Sequence, residues 1–154
     1  MFKIMLALHL LTAIFAIGPL VGAATTASRG LRKADASATG NAARTLTVYG
    51  YASLVVVIFG FGLMSAKPDY GNKEHVAEFS EPWIWISVVL WLCSLALIFG
   101  LVVPALKQAT TALAGAPGET TSVGSLTGRV AAGGGLIALV YVAIIVLMVY
   151  QPGS

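Results

Sequence analysis

The stretch Ile4–Ala27, which reads IMLALHLLTAIFAIGPLVGAATTA, decides the fold. It contains no Asp, Glu, Lys or Arg, and its length exceeds the roughly 20 helical residues that cross a bilayer core about 30 Å thick. It therefore predicts a first membrane-spanning helix. The same stretch carries His9, the one histidine inside the apolar segments of the chain.

Three further segments of the chain have the same character. Of the 154 residues, 58% are hydrophobic and only 10% are charged, and the mean hydropathy is +0.90. These values exclude an ordinary soluble domain. We predict an all-α membrane protein with one transmembrane domain, 1–154, folded as a four-helix bundle. The predicted spans are 4–27, 45–66, 82–106 and 130–150.

The distribution of charge predicts the orientation. Four basic side chains, Arg29, Arg32, Lys33 and Arg44, lie between the first and second spans. The linker 67–81 carries two basic and four acidic side chains, a net charge of −2. Basic loops stay in the cytoplasm, so both termini are expected outside. The overall charge of +3 is explained by these flanks and by lipid headgroups, and nucleic acid is not expected as a partner.

Two alternatives concern the organisation of the chain. Val21-Gly22-Ala23 resembles a signal-peptide cleavage site, but the basic residues follow the apolar run instead of preceding it, which favours a retained helix. Leu8–Gly18 aligns with Leu90–Gly100, which leaves open a chain built from two repeated hairpins of the same orientation. The Gly-, Ser- and Thr-rich stretch 115–128 is expected to be a mobile linker.

Small residues occupy two sides of the predicted first helix and part of the fourth. Small side chains let membrane helices approach closely, where packing drives their association. We therefore expect neighbouring protein on both sides of the first helix, from other membrane subunits or a second copy of the chain, with lipid along the remaining strip. The predicted helix-packing residues are Ala13, Ala16, Gly18, Gly22, Gly133, Gly134 and Gly135.

His9 has two interpretations. A buried, isolated imidazole is most simply a hydrogen-bonding group that meets a hydroxyl or carbonyl of a neighbouring helix. Alternatively, His9 is a metal ligand, because Met5, Met64 and Met148 are also expected near the outer surface. Imidazole and thioether ligands together suit Cu(I).

The pattern LHLLTAIFAIGPLVGA, the basic linker after it and the C-terminal GRVAAGGGLIALVYVAIIVLMV resemble a bacterial family of predicted four-helix integral membrane proteins of unknown function. That family is distantly similar in layout to CopD-like proteins, which are associated with copper resistance and haem-type membrane sites. The resemblance implies a multi-pass protein of the inner (plasma) membrane of a bacterium. It also implies copper or haem at His9. The CopD-like pattern includes further intramembrane histidines, which the other three spans lack, so a bis-histidine haem would need a partner chain.

The spans contain no Ser-His-Asp arrangement, no paired carboxylates and no metalloprotease motif, so an enzyme is not expected. The leading prediction is a non-catalytic accessory or scaffold subunit of a larger inner-membrane complex, without a cofactor. The first alternative is a copper- or haem-binding protein that uses His9. A weaker alternative is a transporter of small molecules or lipids.

Overall fold

The computed structural model describes residues 1–66, 80–115 and 120–152, with the side chains of 120–122 left aside. The described residues are helical and contain no β-strand. We name the π-helical segment Ile98–Val102 the π-turn, and α3, the π-turn and α4 form one continuous third span. The elements are α1 (Phe2–Arg32), α2 (Ala36–Met64), α3 (Pro82–Leu97), the π-turn (Ile98–Val102), α4 (Val103–Ala114) and α5 (Thr120–Tyr150).

Within the described residues, four helices are long and apolar enough to cross a membrane, as the sequence predicts. They run over Phe2–Arg32, Ala36–Met64, Pro82–Ala114 and Val123–Tyr150. An even number of spans places the two termini on the same side, and the assignment of that side to the exterior stays a prediction. Residues 67–79, which form most of the acidic linker, lie outside the described residues.

The connection between α1 and α2 is much shorter than the predicted linker, because both helices continue past the apolar core. Only Lys33–Asp35 separates them. Arg29 and Arg32 occupy the last turn of α1, where cations interact favourably with the helix dipole. Asp35 caps α2, since its Oδ1 accepts a hydrogen bond of 2.9 Å from the backbone N–H of Ala38. Hydropathy alone does not detect these polar helical ends.

The predicted linker at 115–128 is likewise helical from Thr120 onward, because α5 begins there. Helix formation here overrides the low helix propensity of a Gly-, Ser- and Thr-rich sequence. Leu126 and Val130, one turn apart, are buried at 8% and 0% exposure. Burial of this apolar stripe explains the extension of the helix.

The main buried core lies where the four spans meet in the halves nearer the α1–α2 connection. α1 packs mainly against α2 and secondarily against α5, whereas α2 meets the third span through the π-turn and α4. The outward sides carry many exposed large apolar residues, as expected for surfaces in contact with lipid. Fully buried apolar side chains of this core are Leu20, Leu46, Ile98, Leu106 and Ile137.

The three consecutive glycines of α5 have three different environments. Gly134 lies directly against the backbone of Ala24, and any Cβ there would overlap the Ala24 carbonyl group. A Cβ at Gly133 would lie 2.7 Å from Cγ2 of Val102. A Cβ at Gly135 would meet no atom within 4 Å. Gly133 and Gly134 thus bring helices together within this chain, whereas Gly135 faces outward.

The π-turn precedes Pro104 and was not predicted from the sequence. Proline has no backbone N–H and its ring crowds the carbonyl of the residue four positions earlier, which here is Gly100. A local π-helical turn is one way in which a helix accommodates such an irregularity. Phe99 extends from this turn over Gly50, where a Cβ would lie 2.8 Å from its ring. It also packs on Tyr51 with ring centroids 5.0 Å apart.

Cys93 lies in the middle of an apolar run of the sequence, yet it is on the exposed side of α3. The apolar run around it is therefore partly lipid-facing, and a central position in that run did not imply burial in the protein.

Candidate functional site

A cavity of about 100 Å³ lies between the halves of the four spans that are farther from the α1–α2 connection. The backbone of α2 approaches the third span at the π-turn and α4 but not along α3. The space left between α2 and α3 is bridged mainly by side chains, and the cavity lies there. At the outer end those side chains form a small cluster of Phe61, Met64, Trp83 and Ile84. The cavity is lined by His9, Ile17, Ser53, Val56, Val57, Gly60, Phe61, Met64, Trp83, Ile84, Ser87, Val88, Trp91, Tyr141, Ile144 and Met148.

The cavity is long and narrow. Its lining on α2 extends from Ser53 to Met64, which corresponds to about 16 Å along a helix axis at ~1.5 Å per residue. We call the level of Ser53 and Tyr141 the inner end and the level of Met64 and Trp83 the outer end. The inner end lies near the middle of the membrane-spanning segments, and the outer end lies near their edge.

His9 lines the cavity and is fixed by a neighbouring helix. Its Nδ1 lies 3.0 Å from the carbonyl oxygen of Val56. Because a carbonyl only accepts, Nδ1 carries the proton and donates it, and Nε2 of the neutral ring is left as an acceptor. Gly60 makes room for the ring, since a Cβ there would lie 3.2 Å from Cε1 of His9. This arrangement agrees with the simpler of the two predictions for His9.

Two of the three predicted methionine ligands share this cavity with His9. Met64 and Met148 are lining residues, whereas Met5 is not. The Sδ of Met5 lies instead against Gly62, 3.7 Å from where a Cβ would be. No group of three His, Cys, Asp or Glu side chains suited to a metal ion occurs in the described parts of the chain. Any metal here would therefore depend on thioether ligands.

The inner end contains a small group of polar side chains that the sequence analysis did not connect. The indole Nε1 of Trp91 donates to Oγ of Ser53 at 3.0 Å. The Ser53 hydroxyl in turn donates to the carbonyl of Gly50 at 2.7 Å. The hydroxyl of Tyr141 lies beside Ser53 and Ser94. In the sequence these side chains are visible only as isolated serine and tyrosine residues within apolar runs. The sequence alone does not show that they lie close together in the fold.

The hydroxyls of Tyr141 and Ser94 are buried without a hydrogen-bond partner among the described residues. Tyr141 is 2% exposed and Ser94 is 0% exposed. An unpartnered buried hydroxyl costs about 1–3 kcal/mol relative to a hydrogen-bonded one. Tyr141 lines the cavity, whereas Ser94 does not, and the hydroxyls of these two residues lie beside each other.

A second surface of interest is the outward side of α1. We define the Gly18–Gly22 face as Phe15, Gly18, Gly22 and Thr26, which follow one another at helical spacing and are all exposed. A Cβ at either glycine would meet no atom within 4 Å. The other predicted packing residues of α1 face the bundle, with Ala16 buried and Ala13 half-buried. One small-residue side is therefore covered by this chain and the other is open.

The basic residues that predicted the orientation are all exposed near the α1–α2 connection. Arg44 also borders a shallow groove of about 550 Å³ between α2 and α4, together with Lys107. Thr47 and Thr110 in this groove donate their hydroxyl protons to carbonyls of their own helices. They are thus not free to donate to a ligand. The groove offers two exposed cations to the lipid headgroup region.

Four apolar spanning helices with short connections define a polytopic integral membrane protein. The chain belongs to the family described as Predicted integral membrane protein (DUF2269), which matches residues 3–152. The function of that family is unknown. This match confirms the family resemblance inferred from the sequence. No curated protein and no solved structure gives a match.

Proposed function

We propose that this protein is a non-catalytic accessory subunit of a larger assembly in the bacterial plasma membrane. The observation that carries the proposal is the open Gly18–Gly22 face of α1, where both glycines have empty space beyond them. The proposed partner is a transmembrane helix of another subunit, with small residues at the contact.

The physical argument rests on the use of glycine at a position facing away from the bundle. Glycine in a helix interior is destabilising by roughly 0.5–1 kcal/mol relative to alanine and provides no side chain for packing against lipid. Two glycines spaced by four residues create a notch into which the backbone of a second helix fits. The hydroxyl of Thr26 already donates to the carbonyl of Gly22 at 2.7 Å, so this small side chain leaves the notch open without an unpaired donor.

Affinity purification from native membranes tests this proposal. We expect a stoichiometric membrane partner, identified by mass spectrometry, that is lost in Gly18→Leu and Gly22→Leu. Ala96→Leu is the matched control, because Ala96 is an exposed small residue on α3. A protein that migrates alone as a monomer, or a partner retained by both glycine variants, would refute the proposal.

A second candidate function is Cu(I) binding at His9, Met64 and Met148, which line one cavity. His9 supports it because metal-ligating histidines commonly donate the other ring N–H to a carbonyl, as Nδ1 does to Val56. Bound copper would supply a soft cation held by one imidazole and two thioethers. Haem does not fit, because the cavity of about 100 Å³ is well below the ~300–1,000 Å³ of ordinary ligand and cofactor pockets.

Copper titration against a Cu(I)-specific chelator distinguishes this second candidate. We expect one Cu(I) per chain, abolished by His9→Leu and weakened by Met64→Leu. Met5→Leu is the control, because Met5 lies outside the cavity. Binding that is absent from the wild type, or equally reduced by Met5→Leu, would exclude this site. The transporter alternative stays a prediction, since no observation here favours it.

A further inference from the structure

We propose that the groove between α2 and α4 binds the phosphate group of one anionic phospholipid, held between Arg44 and Lys107. The inference goes beyond both proposed functions. The docking proposal rests on the Gly18–Gly22 face of α1, and copper binding rests on the cavity beside His9. Neither of these surfaces contributes a residue to the groove.

The first argument concerns charge. Arg44 and Lys107 stand on two different helices, border the same groove and are both exposed. No carboxylate is among the described residues that line the groove, so no described acidic group competes for either cation there. Guanidinium and ammonium groups are the usual protein donors to phosphate oxygens. A lipid with net negative charge is therefore favoured over a zwitterionic one, whose ammonium group would find no carboxylate among these lining residues.

The second argument concerns the depth of the two cations in the membrane. The second predicted span begins at 45 and the third ends at 106, so Arg44 and Lys107 directly flank these apolar segments. Val48 also borders the groove, lies one turn deeper than Arg44 and is 53% exposed. A phosphate between the cations would thus lie in the headgroup layer, with the acyl chains of its lipid beside Val48. Basic pockets between spanning helices at this level are suited to anionic headgroups.

The third argument concerns the shape of the groove. Its volume of about 550 Å³ lies within the ~300–1,000 Å³ of ordinary ligand pockets. The two helices approach closely at its base, since a Cβ at Gly40 would lie 3.4 Å from Cγ2 of Thr110. Toward the membrane centre, the ring of Phe99 lies against Gly50 and fills the space between α2 and the third span. The groove therefore ends near the headgroup level and does not continue as an apolar seam along the helices.

Native mass spectrometry of the full-length protein in an uncharged detergent tests the inference. The probes are dioleoyl-phosphatidylglycerol and dioleoyl-phosphatidylcholine, which have the same acyl chains and differ in the charge of the headgroup. We expect one phosphatidylglycerol per chain, bound about tenfold tighter than phosphatidylcholine. Thermal unfolding in the same detergent separates lipid from dissolved phosphate, because phosphatidylglycerol should raise the Tm and inorganic phosphate should not. Stabilisation by inorganic phosphate that disappears in Arg44→Gln would overturn the assignment to lipid.

Charge variants locate the site. Arg44→Gln and Lys107→Gln should each weaken phosphatidylglycerol binding about fivefold, whereas Arg44→Lys should retain most of it. Arg129→Gln is the matched control, because Arg129 is exposed, directly precedes the fourth predicted span and does not line the groove. It removes the same charge near the same face of the membrane, so we expect a change of less than about twofold. An equal loss in Arg129→Gln would indicate general attraction to a basic surface. That result, equal binding of the two lipids, or full binding in both groove variants would overturn the inference.

Discussion

Gly134→Ala provides the sharpest test of the packing between α1 and α5. The added methyl group would overlap the carbonyl carbon and oxygen of Ala24, which are backbone atoms of a long helix and have no rotamer to adopt. Relief requires the two helices to separate, which also loosens the contacts of the buried core around Leu20 and Ile137. Overpacking of a well-packed core typically costs 1–3 kcal/mol, and we expect about 3 kcal/mol here because both sides of the contact are rigid.

The adjacent glycines supply matched controls of identical chemistry. Gly133→Ala places its methyl group 2.7 Å from a side-chain methyl of Val102. That side chain can shift, so we expect a loss of about 1 kcal/mol. Gly135→Ala faces open space and should change the unfolding free energy by less than ~0.5 kcal/mol. Reversible unfolding by SDS in mixed micelles, followed by tryptophan fluorescence, measures all three. Equal stability of Gly134→Ala and Gly135→Ala would contradict the proposed backbone contact.

Three further predictions use the same unfolding assay. Asp35→Ala removes the side-chain cap that accepts from the Ala38 N–H and should cost about 1 kcal/mol; an unchanged midpoint would mean that the cap is dispensable. Ser53→Ala leaves the Trp91 indole N–H without its acceptor and should cost about 1–3 kcal/mol with an altered emission maximum; identical spectra would argue against that bond. Cys93→Ala changes an exposed residue and should lie within ~0.5 kcal/mol of wild type; a larger loss would place Cys93 in a contact.

The number and approximate position of the spans could be predicted from the sequence, because crossing a bilayer requires long apolar segments and leaves a strong compositional signal. The family could be predicted as well. The polar ends of the helices could not be predicted. Hydropathy indicates which residues lie in the lipid, but it does not indicate where the helical hydrogen bonds end. Thus α1 reaches Arg32 and α2 starts at Ala36, within a stretch that reads as a linker.

The candidate site was only partly predictable. His9 could be singled out from the sequence, and a carbonyl acceptor for it was the simpler prediction. The identity of that acceptor, Val56, depends on the rotation of α2 against α1, which many apolar faces would permit. The grouping of Ser94 with Tyr141 depends on packing between α3 and α5 in the same way. Such pairings are tertiary, and a single sequence does not encode them in any local pattern.

The crossing of Ala24 and Gly134 also has a mechanical consequence. The two backbones are in direct contact here, with no side chain between them. We therefore expect any relative motion of the two helices to be a tilt about this contact. His9 and Met148 lie about 21–23 Å from this contact along their helices, at ~1.5 Å per residue. A tilt of ~5° would therefore move the outer arms by roughly 2 Å and widen or narrow the cavity between them. The halves of the two helices on the other side of this contact would move in the opposite direction.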